Sequence, residues 1–159
     1  MNSPLPASAQ KVQQALAAAG LDTRVTELES AARTSQQAAD VLGVAMGQIA
    51  KSLIFRALDS GRAVLVIAAG DRRVDEALVA AALGEPIARA TPEFVREHSG
   101  FAIGGVAPLA HAADMVTFVD VSLRRFDQVW AAGGTPHCVF PISPADLARV
   151  AGGVELKVN

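Results

Sequence analysis

Hydrophobic and polar positions alternate along this chain with two periods, and the period changes often. Helical patterning runs from Ser8 to Ala19 and stops at Gly20; the short segment Val25 to Leu28 then predicts a strand. Thr34-Ser35-Gln36-Gln37 is a capping-box pattern opening a helix through Val41 and Leu42, which Gly43 closes. A short helix from Met46 to Ala50 follows. Ser52–Arg56 and Ala63–Ala68 read as strands, and the Asp59-Ser60-Gly61 turn between them makes a hairpin. The second of these strands is apolar on both faces, which places it centrally in a sheet.

Further along, Asp75 to Leu83 predicts a helix ended by Gly84, and Ile87 to Ala90 a short strand. Thr91-Pro92-Glu93 puts Thr at an N-cap and Pro in the first helical turn of a helix that ends at Gly100. Met115 to Val119 reads as a strand, and Ser122 as the cap of a short helix holding Phe126, Val129 and Trp130. His137 to Phe140 is a strand, Ser143-Pro144 starts a helix, and Val154 to Val158 predicts a final strand. Irregular alternation with a hairpin implies a mixed α/β domain with helices packed on a mixed sheet, not a regular parallel array.

Two segments break the pattern. Phe101-Ala102-Ile103-Gly104-Gly105-Val106-Ala107-Pro108 is apolar, yet adjacent glycines and a proline forbid a regular element. It is either a tight turn between buried strands or a loop whose amides face a ligand carbonyl or phosphate. Gly133-Gly134-Thr135-Pro136 is a second loop of the same kind.

Composition narrows the field. A length of 159 residues suits one domain with a sizeable core. No apolar run reaches the ~20 residues that span a bilayer, and Met1 to Gln10 lacks the pattern of a secretory signal, so a cytoplasmic protein is expected. One cysteine excludes an internal disulfide and a cysteine-based zinc site. A net charge of −2, one Trp and no Tyr are not the footprint of a general nucleic-acid binder or a base-stacking platform. A nucleic-acid substrate would have to be held locally or by a partner.

Candidate chemistry is sparse. Lys51, beside the strand at Ser52, shares a face with Leu53 and Phe55 and could meet an anionic ligand; it could equally be a lysine whose stem lies along apolar surface. His137 and Cys138 are neighbours in a strand, so their side chains diverge and do not form a nucleophile–base pair. Cys138 reads as a small buried thiol, whereas His137 either faces a pocket or is structural. His98 and His111 lack a second ligand at metal spacing. Arg72-Arg73 and Arg124-Arg125 could meet phosphates, although solvation explains them as well. No zinc-protease, phosphate-loop or nucleophile-elbow motif is present.

Several blocks recur in one order: Thr34-Ser35 with Ala38-Ala39, Gln48-Ile49-Ala50-Lys51-Ser52-Leu53, Ala69-Gly70-Asp71-Arg72-Arg73-Val74-Asp75, Gly104 to Pro108, and Trp130 to His137. In that order and spacing the chain resembles the YbaK/prolyl-tRNA synthetase-associated domain family from about Thr34 onward. The resemblance implies a single compact domain over residues 1–159 with a mixed, barrel-like sheet surrounded by helices. It implies a deacylase acting in trans on a mischarged aminoacyl-tRNA, most often one for proline, with no cofactor, metal, membrane or DNA, and with a transient prolyl-tRNA synthetase complex as a further partner. On that template Lys51 is the pocket lysine and Gly104 and Gly105 stand at the ester. Val106, Ala107 and Pro108 continue that wall, and Gly133, Gly134, Thr135 and His137 form the opposite one. An ester is already activated, so amides placed at the developing oxyanion, together with a positioned water, suffice without a side-chain nucleophile. Two other functions are weighed: a non-catalytic module that binds a small ligand or a synthetase, and a hydrolase of small acyl esters.

Overall fold

The chain, described by a computed structural model over residues 4–159, runs α1 (Ala7–Ala18), β1 (Thr26–Glu27), α2 (Ser35–Leu42), β2 (Ile49–Ala57), β3 (Ala63–Ala69), α3 (Glu76–Leu83) and β4 (Ile87–Arg89). It continues with α4 (Pro92–Ser99), β5 (Val116–Asp120), β6 (Val129–Ala132), β7 (Cys138–Ile142), α5 (Pro144–Ala151) and β8 (Val154–Leu156). The strands form one mixed sheet in the order β1-β7-β6-β2-β3-β5-β8, with β4 added to β2.

β3 is buried at every position and divides two apolar layers. Leu65, Ile67 and Ala69 face one core with Val12 and Leu16 of α1, Phe140 of β7 and Leu147 of α5. Val64, Val66 and Ala68 face the other with Phe55, Val79 of α3 and Phe118. Each large aliphatic side chain so buried contributes about 1.5–3 kcal/mol, and β3 is the central strand that its apolar faces predicted.

Local chemistry sets the helix starts. Thr34, Thr91 and Ser143 accept hydrogen bonds from Gln37, Phe94 and Asp146 amides. Gln37 does not complete a box with Thr34: its Oε1 accepts from the Arg33 N–H at 2.9 Å, one residue earlier. The helix expected over Met46 to Ala50 is reduced to a 3-10 turn at Met46–Gln48, closed by Gln48 Oε1 accepting from the Ala45 N–H at 3.0 Å. Ile49 and Ala50 then pair with Trp130 and Ala131, so the strand begins before Lys51.

The expected helix through Val129 and Trp130 does not form. Asp120 caps a 3-10 turn at Val121–Arg125, its Oδ1 accepting from the Ser122 N–H at 2.9 Å, and Phe126 ends that turn in extended geometry. Val129 and Ala131 are buried and alternate with half-buried Trp130 and Ala132, the period of a strand. Buried Asp120 also accepts from the Ala69 N–H and the Asn159 side chain, both at 3.0 Å. It thereby ties the end of β3 to the C-terminal segment.

Candidate active site

The site arises where β2 changes partners. Ile49 and Ala50 pair with β6, and Phe55 to Ala57 pair with β4 on the same edge. Between them the ladder is interrupted, with the Ile54 carbonyl still accepting from the Ala90 N–H at 3.4 Å. The Gly70 N–H donates to the Ile49 carbonyl, so odd-numbered residues of β2 direct their main chain at β3 and even-numbered ones at the open edge. Ser52 stands in the gap.

A hollow of about 380 Å³ occupies this gap, lined by β2, β6, the start of α2 and both glycine-proline loops. Its wall is mostly small and apolar, including Ala38, Ile49, Ala131, Val106 and Val139, with Trp130 beside them. A second hollow of about 130 Å³ shares Ser52, Leu53, Ile103, Gly104 and Val106 with the first and extends to Arg89, Ala90 and Val95. The charged residues lining the two are Arg33, Lys51 and Arg89; no carboxylate and no histidine lines either. Among the described residues, none of these three cations forms an ion pair.

Half-buried Lys51 lines the larger hollow. Burial and the nearby Arg89 charge push its ammonium below the ordinary lysine range, partly opposed by Asp120 and Asp71. It is therefore a cation held where water is scarce, and an anionic or polarised oxygen of a ligand would relieve its isolation.

The glycine-proline loops meet each other, and their glycines do different work. Gly104 lines both hollows and has φ +89°. Gly105 is buried and outside the lining; its N–H donates to the Ala102 carbonyl at 3.0 Å, and a Cβ there would lie 2.7 Å from the Thr135 Cα. Gly105, expected to stand at the ester beside Gly104, thus lies outside the lining and lets the two loops touch. Ala107 and Pro108 lie behind the wall in the buried layer, while Val106 forms part of the wall.

The second loop divides similarly. Thr135 and Pro136 line the hollow. Gly133 and Gly134 do not: Cβ atoms there would meet Val25 at 2.8 Å and the Ser8 carbonyl at 2.6 Å, so they admit β1's approach and α1. His137 is exposed and outside the lining, between two residues that belong to it. Its neighbour Cys138 does line the hollow; it is buried, and that burial raises the pKa of its thiol.

Three of the remaining candidates, Arg124, Arg125 and His111, have structural partners. Arg125 forks onto Asp71 at 3.0 and 2.8 Å, and Arg124 pairs with Glu155 at 2.7 Å. A Cβ at Gly47 would come 2.9 Å from Asp71. His111 Nε2 lies 2.7 Å from the Ala107 carbonyl, and burial lowers its pKa. No group of metal-ligating side chains occurs among the described residues. No helix among them is long and apolar enough to cross a membrane.

Sequence reasoning passed over Ser52, Arg33, Arg89 and Ile103. Ser52 Oγ is buried without a hydrogen-bond partner, a condition that costs about 1–3 kcal/mol. Face alternation sets Ser52 on the side away from Lys51, Leu53 and Phe55 but gives no sign of the gap in pairing that surrounds it.

Residues 29–150 match the aminoacyl-tRNA editing domain. The uncharacterized protein YwhH of Bacillus subtilis is 37% identical over 125 residues, covering 79% of each chain. A crystal structure of a protein proposed as a trans-editing enzyme for prolyl tRNA synthetase superposes with TM-score 0.92 at 39% identity, covering 98% of this chain and 99% of that one. The crystal structure of a hypothetical protein, APE2540, superposes with TM-score 0.86 at 31% identity over 93% of this chain and 98% of the other.

Proposed function

This chain belongs to the aminoacyl-tRNA editing domain family, and on that premise we propose that it is a cytoplasmic, single-domain deacylase acting in trans on mischarged tRNA. Within the family we place it on the YbaK/prolyl-tRNA synthetase-associated branch, with tRNA for proline as the carrier. The observation that carries this reading is the hollow itself: a cation without an ion pair, Lys51, in a mostly small, apolar wall that includes Gly104, with neither carboxylate nor histidine.

That lining suits an ester that needs orientation more than activation. Lys51 supplies a positive charge for an oxygen of the ester or the 3′-terminal nucleotide, and Gly104 leaves the main chain open to the acyl group. Water adds to the acyl carbon, the ester bond to the ribose oxygen breaks, and that oxygen takes the proton. Free amino acid and uncharged tRNA leave. A neighbouring ribose hydroxyl, or the substrate's own thiol for cysteine, assists the water. Val106, Thr135 and Cys138 bound the acyl space, so discrimination is by volume, where one methylene is worth ~1–3 kcal/mol. Gly105, Gly133 and Gly134 serve by holding the two loops, and Ala107 and Pro108 by backing them. His137 is offered to the polynucleotide at the rim.

The test is release of free amino acid from tRNAs mischarged with alanine, cysteine, serine or threonine by the purified protein. Release from at least one is expected; no release across the panel at high protein concentration overturns the reading. The net charge of −2 favours one further possibility, a module that relies on a synthetase to deliver the tRNA. Capture of prolyl-tRNA synthetase without deacylation would select it. Turnover of a small acyl ester in preference to tRNA would instead select a metabolite hydrolase.

A further inference from the structure

Among the described residues, two buried side-chain polar atoms have no partner, Ser52 Oγ and Ser122 Oγ. Ser122 lies on the 3-10 turn after β5, outside both hollows. Ser52 stands at their junction, for it lines both of them. Of the other hydroxyls lining the larger hollow, Thr34 Oγ1 accepts from the Gln37 N–H, Thr135 Oγ1 accepts from the His137 N–H, and Ser35 is only half-buried at the start of α2. A buried hydroxyl that has surrendered water without gaining a partner is disfavoured unless a ligand completes it.

The lining identifies the missing group. Arg33, Lys51 and Arg89 are donors only, so carbonyl, hydroxyl and phosphate oxygens of an acylated nucleotide are well served. An amine finds no carboxylate side chain in either hollow. Ser52 Oγ is the buried side-chain acceptor left free.

We propose that Ser52 Oγ accepts a hydrogen bond from the α-amino group of the amino-acid ester and so holds the acyl carbon at the junction of the two hollows, which Gly104 also lines. The site thereby recognises α-amino esters as a class, apart from the side chain they carry. This identification of the ligand rests on the deacylase reading and deepens it.

The test uses the whole protein and two non-hydrolysable ligands, 3′-amino-3′-deoxyadenosine carrying an alanyl or a propionyl amide, which differ only in the α-amine. Calorimetry with the native protein should show the alanyl form bound about tenfold more tightly, equivalent to about 1.4 kcal/mol. Ser52→Ala should bring the two affinities together by weakening the alanyl form alone, and Ser52→Thr should keep the preference. A native protein that does not distinguish the two ligands, or binds neither, overturns the proposal. So does a folded Ser52→Ala variant that keeps the preference. If the preference and its loss are seen but no mischarged tRNA is hydrolysed, the deacylase reading falls and the role of Ser52 stands. Deacylation without an amine preference has the opposite meaning.

Discussion

Gly105 lies against Thr135 so closely that a first side-chain carbon on the glycine would sit 2.7 Å from the threonine Cα and 3.0 Å from its main-chain N and C. Neither partner is a flexible tip, so the loops would have to separate. Gly105→Ala should lower stability by about 1–3 kcal/mol, measured by urea denaturation. Gly104→Ala meets only Pro136 at 3.5 Å, and its penalty is the positive φ of +89°, about 1–2 kcal/mol. A Gly105→Ala protein as stable as the native one would show that the loops do not touch.

Lys51→Ala should reduce kcat/KM for a mischarged tRNA by about tenfold or more, since a charge-assisted contact is worth roughly 1.5–3 kcal/mol. Its melting temperature should hardly change, because the side chain makes no ion pair. The ammonium is the working form and its pKa is lowered by burial and by Arg89. Activity should therefore be full below that lowered pKa and fall as pH rises through it, on the acid side of an ordinary lysine. Arg89→Ala should move the falling limb to higher pH, and an unmoved limb would assign it to another group.

Arg89 itself should bear on the polynucleotide more than on the acyl group. Arg89→Ala is expected to raise KM for tRNA and to reduce the salt dependence of binding by about one unit of slope. Turnover of a minimal aminoacyl ester should stay within about twofold of native. Equal losses on both substrates would place Arg89 at the reacting atoms.

Cys138 is a wall and not a nucleophile. Its thiol is buried and its pKa raised by that burial, so alkylation of the folded protein at neutral pH should be slow and should speed up on unfolding. Cys138→Ala should keep deacylation within about tenfold while altering the preference among acyl groups, since it changes volume without removing a charge. Abolished turnover in a folded variant would point to a thioester step.

The Asp71–Arg125 fork should matter to acid stability. Arg125 hydrogen bonds hold the Asp71 carboxyl below its ordinary value of 3.8. A lowered folded pKa means the contribution is present above that ordinary value and lost as pH falls through the folded one. Arg125→Ala should cost about 0.5–1 kcal/mol at neutral pH, in keeping with a partly exposed pair. Native and variant proteins should converge in urea melts at strongly acid pH; an undiminished gap there would assign the loss to packing.

The residues that announce local structure did so plainly. Thr91-Pro92 and Ser143-Pro144 begin helices because cap and first turn are decided within four residues. Trp130 misled for the same reason: Ser122 has the form of a cap, but Asp120, arriving at the end of β5, takes that role. In the site, Lys51 and Gly104 were legible as a cation and a break in an apolar pattern. The duties of Gly105 and Gly134 were not, because they depend on what Thr135 and Ser8 bring from elsewhere in the chain. The same holds for His137 and Cys138: alternation separates their directions but does not say which direction holds the hollow.

The interruption in the pairing of β2 has a consequence for how such a protein diversifies. β6 and β4 each leave the strand, and the space between is a rung omitted from a ladder that β3 keeps intact on the other side. The strand frame of the site is then main chain, held in place by the hydrogen bonds of the ladder. Exchanging Ala38, Ala131, Val139 or Cys138 changes the depth of the opening, at a packing cost that a ladder with β3 intact is placed to absorb. A lineage can retune what it admits while the scaffold that presents it stays still.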